Sequence, residues 1–262
     1  MRAVIISAAV LALVGSASAQ VATAVAELKQ LHFELIDLDP SDGISPSLTW
    51  ASDKPLGYFA MATPLVLPGN SIVGGSAPLG GSLSDVAASD WPSTQLAVSI
   101  SSGDLFTSGA GPTFRAEGMS TAGGSVFGGS SLDGVVTLSP HTRLQLSATV
   151  GTVALTNVGI GGFASATLQF CSAPAEGANP CLEPGSVDYS SAWVARQSGW
   201  VDTFLPGSLT LAWDNTTASA AQRYVAAGTY IQLDTTAPVP EPEQWLLFAT
   251  GLGVIASRRL RR

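Results

Sequence analysis

Apolar and polar residues alternate along most of this chain, and this two-residue period constrains its fold more than any other feature. The stretch TRLQLSATV places Leu144, Leu146, Ala148 and Val150 on one face, with polar residues between them. Successive side chains of a strand point to opposite faces, so this pattern predicts a half-buried β-strand. The same alternation occurs in SLTW, QLAVSI, SATLQF and SLTLAW, and further candidate strands are HFELIDL, VVTL, GTVALTNV, SAWVARQ and RYVAAGTYIQL.

Turn-forming residues separate these stretches, and no long helical pattern lies between them. Many short strands punctuated by Gly, Pro, Asn and Asp predict an all-β fold, an antiparallel β-sandwich of jelly-roll-like type. Between positions 64 and 134 the chain is rich in Gly and Ser without a constant period, which predicts long loops or flat strands. Apolar residues make up 46% of the chain, which is enough for a packed core.

The first 19 residues have the three parts of a secretory signal peptide. Arg2 supplies the positive start, residues 3–14 are apolar, and Ala17-Ser18-Ala19 is a small-residue cleavage pattern. The alternative is an N-terminal membrane anchor, which the short apolar stretch disfavours. The sequence therefore predicts export, cleavage before Gln20, and a β-sandwich body over residues 20–235.

Residues 236–262 differ in composition from the body, because a Pro-rich linker is followed by an apolar run and a cluster of arginines. As a helix, the run would be about 18 Å long against a hydrocarbon core of about 30 Å, so it predicts a marginal transmembrane helix. An amphipathic or core helix with a basic cap is the alternative. The predicted membrane helix contains Trp245, Leu246, Leu247, Phe248, Leu252, Val254 and Ile255.

The charges around this run favour insertion in one direction. Glu241 and Glu243 suit the positive end of a helix dipole. The arginines suit the other end and, by the positive-inside rule, the cytoplasmic side, where they act as a stop-transfer signal. They are Arg258, Arg259, Arg261 and Arg262.

This ending resembles the PEP-CTERM sorting signal, in which a Pro-Glu-Pro motif precedes an apolar run and terminal arginines. The motif here is Val239, Pro240, Glu241 and Pro242, and the resemblance covers residues 239–262 only. It implies a Gram-negative bacterium whose exosortase recognises and removes the tail. It also implies a role at the cell surface, in extracellular polysaccharide or in biofilm. The Leu-Pro-x-Thr-Gly motif of Gram-positive sortase substrates does not occur in the sequence.

The chain has two cysteines, Cys171 and Cys181, which flank a loop rich in Pro, Gly and Ala. In an oxidising compartment a disulfide is the expected state of such a pair. Closing so short a loop would contribute roughly 2–3 kcal/mol in the chain-entropy model. Two reduced buried thiols are the alternative.

The densest acidic stretch is DLDPSDG, in which Asp37, Asp39 and Asp42 are candidate calcium ligands. Several carboxylates in one turn suit a hard cation, although the spacing does not match an EF-hand loop. The alternative is a turn in which the aspartates bond their own backbone. Calcium is thus a candidate cofactor, and the sequence indicates no other.

No recognisable catalytic motif is present, so we expect a protein that is not an enzyme. Neither His32 nor His141 belongs to a nucleophile motif. Nothing in the spacing of the acidic residues selects a pair for sugar hydrolysis. Trp91, Trp193 and Trp200 are candidate platforms for sugar rings, although core or half-buried positions are more usual for tryptophan.

The charge of the body excludes one class of partner. Residues 20–238 hold six basic residues against seventeen acidic ones, a difference of −11. Such a surface repels phosphate backbones, so we expect no binding to nucleic acid. The sequence predicts an exported structural or adhesive protein of the cell surface or extracellular matrix. The alternatives are a carbohydrate-binding module, with or without the help of calcium, which an exposed row of two Trp or Tyr rings would favour, and a secreted hydrolase.

Neutral replacements of the four terminal arginines test the predicted stop-transfer signal. Substituting Arg258, Arg259, Arg261 and Arg262 with Gln should weaken membrane retention, because the helix alone spans the bilayer only marginally. Cell fractionation and the mass of the secreted C-terminus in the producing bacterium measure the effect. Unchanged retention and processing would contradict the prediction.

Overall fold

The computed structural model describes residues 21–64, 71–90, 93–120, 124–156, 161–172, 190–197 and 207–235. In these ranges the regular structure is entirely β, and no helix is present that could cross a lipid bilayer. The strands are β1 (Ala22–Asp37), β2 (Leu48–Trp50), β3 (Leu56–Pro64), β4 (Ser71–Ala77), β5 (Leu83–Asp90), β6 (Ser93–Ile100), β7 (Phe114–Ser120), β8 (Gly124–Leu138), β9 (Thr142–Thr156), β10 (Phe163–Ser172), β11 (Ser190–Gln197), β12 (Ser208–Asn215) and β13 (Ala221–Asp234).

The strands form two antiparallel sheets. Sheet A has the order β12-β9-β1-β7-β6-β5. Sheet B has the order β11-β10-β13-β8-β3-β4, and β2 pairs with the C-terminal end of β8. The predicted all-β, antiparallel class is confirmed.

The two sheets pack face to face over one hydrophobic core. Strand β1 lies against β10 and β13, while β6 lies against β3 and β8. Each full burial of a large apolar side chain contributes about 1.5–3 kcal/mol before entropy is subtracted. The largest fully buried side chains come from both sheets and include Leu28, Phe33, Phe114 and Leu144 from sheet A and Leu56, Leu132 and Leu168 from sheet B.

A β-bulge lets the long first strand keep one face in this core. The pairing of β1 with β9 shifts between Ala26 and Leu28 and again between Lys29 and His32. Between the last two residues, Gln30 has a φ of 54°, in the left-handed region that few non-glycine residues adopt. The extra residue changes the buried positions from even to odd numbers, so that Leu31 and Phe33 point inward.

Most of the described part of the Gly/Ser-rich stretch forms strands, whereas residues 101–113 form a loop between β6 and β7. Strand β8 runs in the middle of sheet B, between β13 and β3. Both of the alternatives from the sequence, long loops and strands, therefore occur in this stretch.

Both ends of the described body lie at the same end of the two sheets. Ala22, at the start of β1, pairs with Ser120. The Ser120 hydroxyl lies 2.9 Å from Oγ1 of Thr235, whose backbone N–H donates to the carbonyl of Gly124 at 3.0 Å. The predicted signal peptide and sorting segment lie outside the described residues.

Asn215 joins two connections between strands at the opposite end of the body. It is 2% exposed, and its Nδ2 donates to the carbonyls of Ser139 and Ser219 at 2.9 Å each. Its Oδ1 accepts from the backbone N–H and the hydroxyl of Thr217. The side chain thus joins the β8–β9 turn to the β12–β13 loop.

Replacing Asn215 with Ala should lower the free energy of unfolding by about 2–3 kcal/mol, because buried carbonyls and an N–H lose their partner. Urea unfolding of the purified full chain measures the change. Gln222→Ala is the control, since this exposed side chain makes one long bond to Thr137 at 3.3 Å, and it should cost less than about 0.5 kcal/mol. Equal effects of the two variants would contradict the role of Asn215.

Candidate functional site: a groove on the outer face of sheet B

The outer face of sheet B carries a groove that crosses its central strands. Residues on paired strands stand side by side, so the register defines rows across the sheet. One row runs from Thr167 through Gly228 and Ser131 to Gly57. These four small residues form the floor of a groove of about 530 Å³. We call it the sheet B groove.

Two exposed aromatic side chains stand along one side of the groove. In the row beside the floor, Tyr230 and Phe59 flank Gly129. Phe59 is 43% exposed and Tyr230 is 38% exposed. Each is supported by a second ring, with centroid distances of 5.4 Å from Phe59 to Phe127 and 6.1 Å from Tyr230 to Phe163. Since two strand spacings separate them, Tyr230 and Phe59 lie roughly 10 Å apart at their backbones.

Polar side chains stand along the other side. The row there runs from Gln169 through Ala226 to Asp133. The Tyr224 hydroxyl donates to Oδ2 of Asp133 at 2.8 Å, and the Ser131 hydroxyl donates to Oδ1 at 3.1 Å. A carboxylate offers about four lone-pair sites, so Asp133 retains the capacity to accept further hydrogen bonds.

Tyr224 and Tyr230, two of the tyrosines that line the groove, remain protonated at neutral pH. Burial, followed by the charge and hydrogen bond of Asp133, raises the pKa of Tyr224 far above its usual range. Burial, followed by the charge of Asp234, raises the pKa of Tyr230. A phenol with a raised pKa keeps its proton, so neither ring adds negative charge to the site.

The floor of the groove is formed by small residues because the neighbouring backbones leave no room for larger side chains. A Cβ added to Gly228 would collide with the carbonyl oxygen of Ser130, and one added to Gly129 would collide with that of Thr229. A Cβ on Gly128 would meet the carbonyl oxygen of Phe59. The backbones of β3, β8 and β13 therefore enforce an open channel beside the aromatic rings.

The acidic groups described on this sheet do not form a pair suited to glycoside hydrolysis. Asp133 stands opposite Ala226, whereas Asp234 lies eight residues further along β13, which corresponds to roughly 27 Å of strand. Paired catalytic carboxyl groups are about 5–9.5 Å apart.

The candidate calcium ligands lie in a turn at the far end of the body. Asp37 Oδ1 accepts the N–H of Asp39 at 2.9 Å, and Asp42 Oδ1 accepts that of Ile44 at 2.6 Å. Asp39 Oδ1 accepts both the N–H and the hydroxyl of Ser41. These are the backbone-bonding turns that formed the alternative interpretation. Within the described ranges no three His, Cys, Asp or Glu side chains are placed to hold a metal ion, and calcium binding stays a prediction.

The two histidines lie apart from the groove. Nδ1 of His32 is 3.1 Å from the carbonyl of Leu105, and His141 occupies the turn before β9 with a φ of 48°. Trp91 and Trp200 lie outside the described residues. Strand β11 places the backbone of Trp193 opposite Thr167, in line with the groove floor.

Cys171 is buried near the end of β10, and its predicted partner, Cys181, lies outside the described residues, so the disulfide stays a prediction. The sorting motif at residues 239–242, the membrane helix and the terminal arginines also lie outside them.

No protein-family model matches this chain, and comparisons with curated proteins and with solved structures found no similar protein.

Sequence reasoning did not find the groove residues. Tyr230 and Phe59 belong to strands that are distant along the chain and become neighbours only through β8. The available signal was the alternation itself, since Tyr230 stands between Thr229 and Ile231, which are both buried. The alternation could therefore indicate that Tyr230 faces outward. It could not indicate that Phe59 lies beside it, because that depends on the order of the strands in the sheet.

Gly228→Ala should destabilise the protein by about 1–3 kcal/mol, because the new methyl group overpacks the contact between β13 and β8. Gly207→Ala is the matched control, since a Cβ at this exposed glycine would meet no atom within 4 Å. Urea unfolding of both full-length variants measures the difference. Equal stability of the two would contradict the close approach that forms the floor.

Proposed function

We propose that this chain is an exported surface or matrix protein whose body adheres to extracellular polysaccharide through the sheet B groove. Carbohydrate binding is then the means by which the body performs its adhesive, structural role. The jelly-roll-like form of the sandwich, the signal peptide and the PEP-CTERM sorting helix are parts of this proposal, as is removal of the tail by an exosortase in a Gram-negative bacterium.

The observation that carries the proposal is the pair of exposed rings beside a channel of short side chains. Tyr230 and Phe59 lie in one row, and the floor beside them is formed by Gly228 and Ser131. Sugar rings present polarised C–H groups, which aromatic faces attract, and hydroxyl groups, which need polar partners. The groove offers aromatic faces on one side and Asp133 with Tyr224 on the other.

The position of the chain ends supports display at a surface. Ala22 and Thr235 are held at one end of the body through Ser120. Along β13, Tyr230 lies five residues before Thr235, or roughly 17 Å, and it faces sideways from the sheet. A body attached at that end therefore leaves the groove accessible both before and after processing.

Alanine substitutions of the two rings test this function. Tyr230→Ala and Phe59→Ala should each weaken co-sedimentation with polysaccharide from the producing bacterium by about ten-fold, the usual effect of losing a central aromatic contact. Both rings are partly exposed, so the fold should persist.

Val86→Ala is the matched control, because this side chain on β5 of sheet A is 43% exposed, the same fraction as Phe59. It should leave binding unchanged. Wild-type binding that survives both aromatic substitutions, or that falls equally with Val86→Ala, would refute the assignment of the groove.

A further inference from the structure

The charge of the groove restricts the kind of polysaccharide that it can accept. Asp133 carries the charge among the described residues that line the groove, and none of those residues is a Lys or an Arg. The nearest basic residue along β13, Arg223, has its guanidinium 5.5 Å from the ring of Trp213 in sheet A. An anionic sugar would therefore meet a carboxylate in this channel without a described cation to balance it.

The rest of the body adds to this preference. Residues 20–238 have a charge difference of −11, and such a field lowers the local concentration of polyanions at low salt. Arg143 and Arg115, two of the six basic residues, are already engaged with Asp214 and with Glu27 and Glu117. Both arginines belong to sheet A, away from the groove.

The hydrogen-bonding groups of the groove suit hydroxyl groups. Asp133 accepts one bond from Tyr224 and one from Ser131 and still has acceptor sites. A sugar hydroxyl can donate to this carboxylate, whereas a second carboxylate would need to be protonated to do so. The charge of Asp133 and its need for hydrogen-bond donors therefore both favour a neutral ligand.

The direction of the groove selects an extended ligand. Its floor crosses β10, β13, β8 and β3 through Thr167, Gly228, Ser131 and Gly57. The two exposed rings stand roughly 10 Å apart along this direction, so one sugar ring cannot stack on both. A linear chain of several sugars laid across the strands can contact both rings at once.

We propose that the sheet B groove binds an uncharged, linear polysaccharide that lies across strands β13, β8 and β3, stacked on Tyr230 and Phe59 and hydrogen-bonded to Asp133. This ligand assignment rests on the proposed function, which requires only that the groove binds extracellular carbohydrate.

Affinity electrophoresis with matched polysaccharide pairs tests the assignment. Native gels are cast with hydroxyethyl cellulose or carboxymethyl cellulose, and with dextran or carboxymethyl dextran, so that each pair shares a backbone and differs in charge. At least one neutral polysaccharide should retard the exported protein, and its carboxymethylated partner should retard it at least about ten-fold less. Added NaCl should change the retardation by the neutral polysaccharide little, because that contact does not depend on attraction between charges.

Variants connect this selectivity to the groove. Tyr230→Ala should abolish most of the retardation, whereas Val86→Ala should leave it intact. Asp133→Asn keeps the shape and an acceptor oxygen but removes the charge, so it should weaken binding to the neutral chain by about 5- to 15-fold, because a hydrogen bond to a charged acceptor is stronger than one to a neutral acceptor. It should also narrow the difference between the neutral and carboxymethylated chains.

The outcomes separate the two proposals. Equal or stronger retardation by a carboxymethylated chain, lost in Tyr230→Ala, would overturn the neutral-ligand assignment and leave the proposed function standing. Selective retardation by neutral chains that is insensitive to Tyr230→Ala would overturn the assignment to the groove. Failure to bind any of the four chains, or the polysaccharide of the producing bacterium, would overturn both proposals.

Discussion

The close approach of β8 to β13 and β3 is the constraint on which the rest of the structure depends. Gly128, Gly129 and Gly228 stand where a Cβ would collide with a neighbouring backbone, so the centre of sheet B is built from residues without bulk. The inner face still contributes Val126, Leu132 and Ile231 to the core. The outer face is left with an open channel, and the larger side chains of the adjacent rows become its walls.

The alternation of the sequence predicted much of the fold. The patterns in TRLQLSATV, SATLQF and SLTLAW correspond to β9, β10 and β12, and all lie at or near a buried face. Strand β3 was not predicted, and β4, β5 and β7 were not located within the Gly/Ser-rich stretch, because small residues such as Ala60, Ala87 and Gly118 occupy buried positions of three of these strands. The bulge at Gln30 also escaped prediction, since it changes the period within one strand.

The groove could not be predicted to the same extent, because it depends on strand order rather than on local pattern. Phe59, Asp133 and Tyr230 meet only because β8 pairs with β3 on one side and β13 on the other. The acidic turn at Asp37, Asp39 and Asp42 was visible in the sequence, but its carboxylates bond to neighbouring residues of the turn.

The proposed function places a polymer in the groove on the side of the body, away from the end at which the described residues begin and end. NMR chemical shifts of the backbone amides, recorded during titration of the exported protein with short oligosaccharides of the neutral polysaccharide that retards it most, test this account most directly. It predicts that Gly129, Ser131 and Gly228 shift, while sheet A amides such as Val86 and Glu117 stay in place. Shifts confined to sheet A or to the Asp37–Asp42 turn would contradict it.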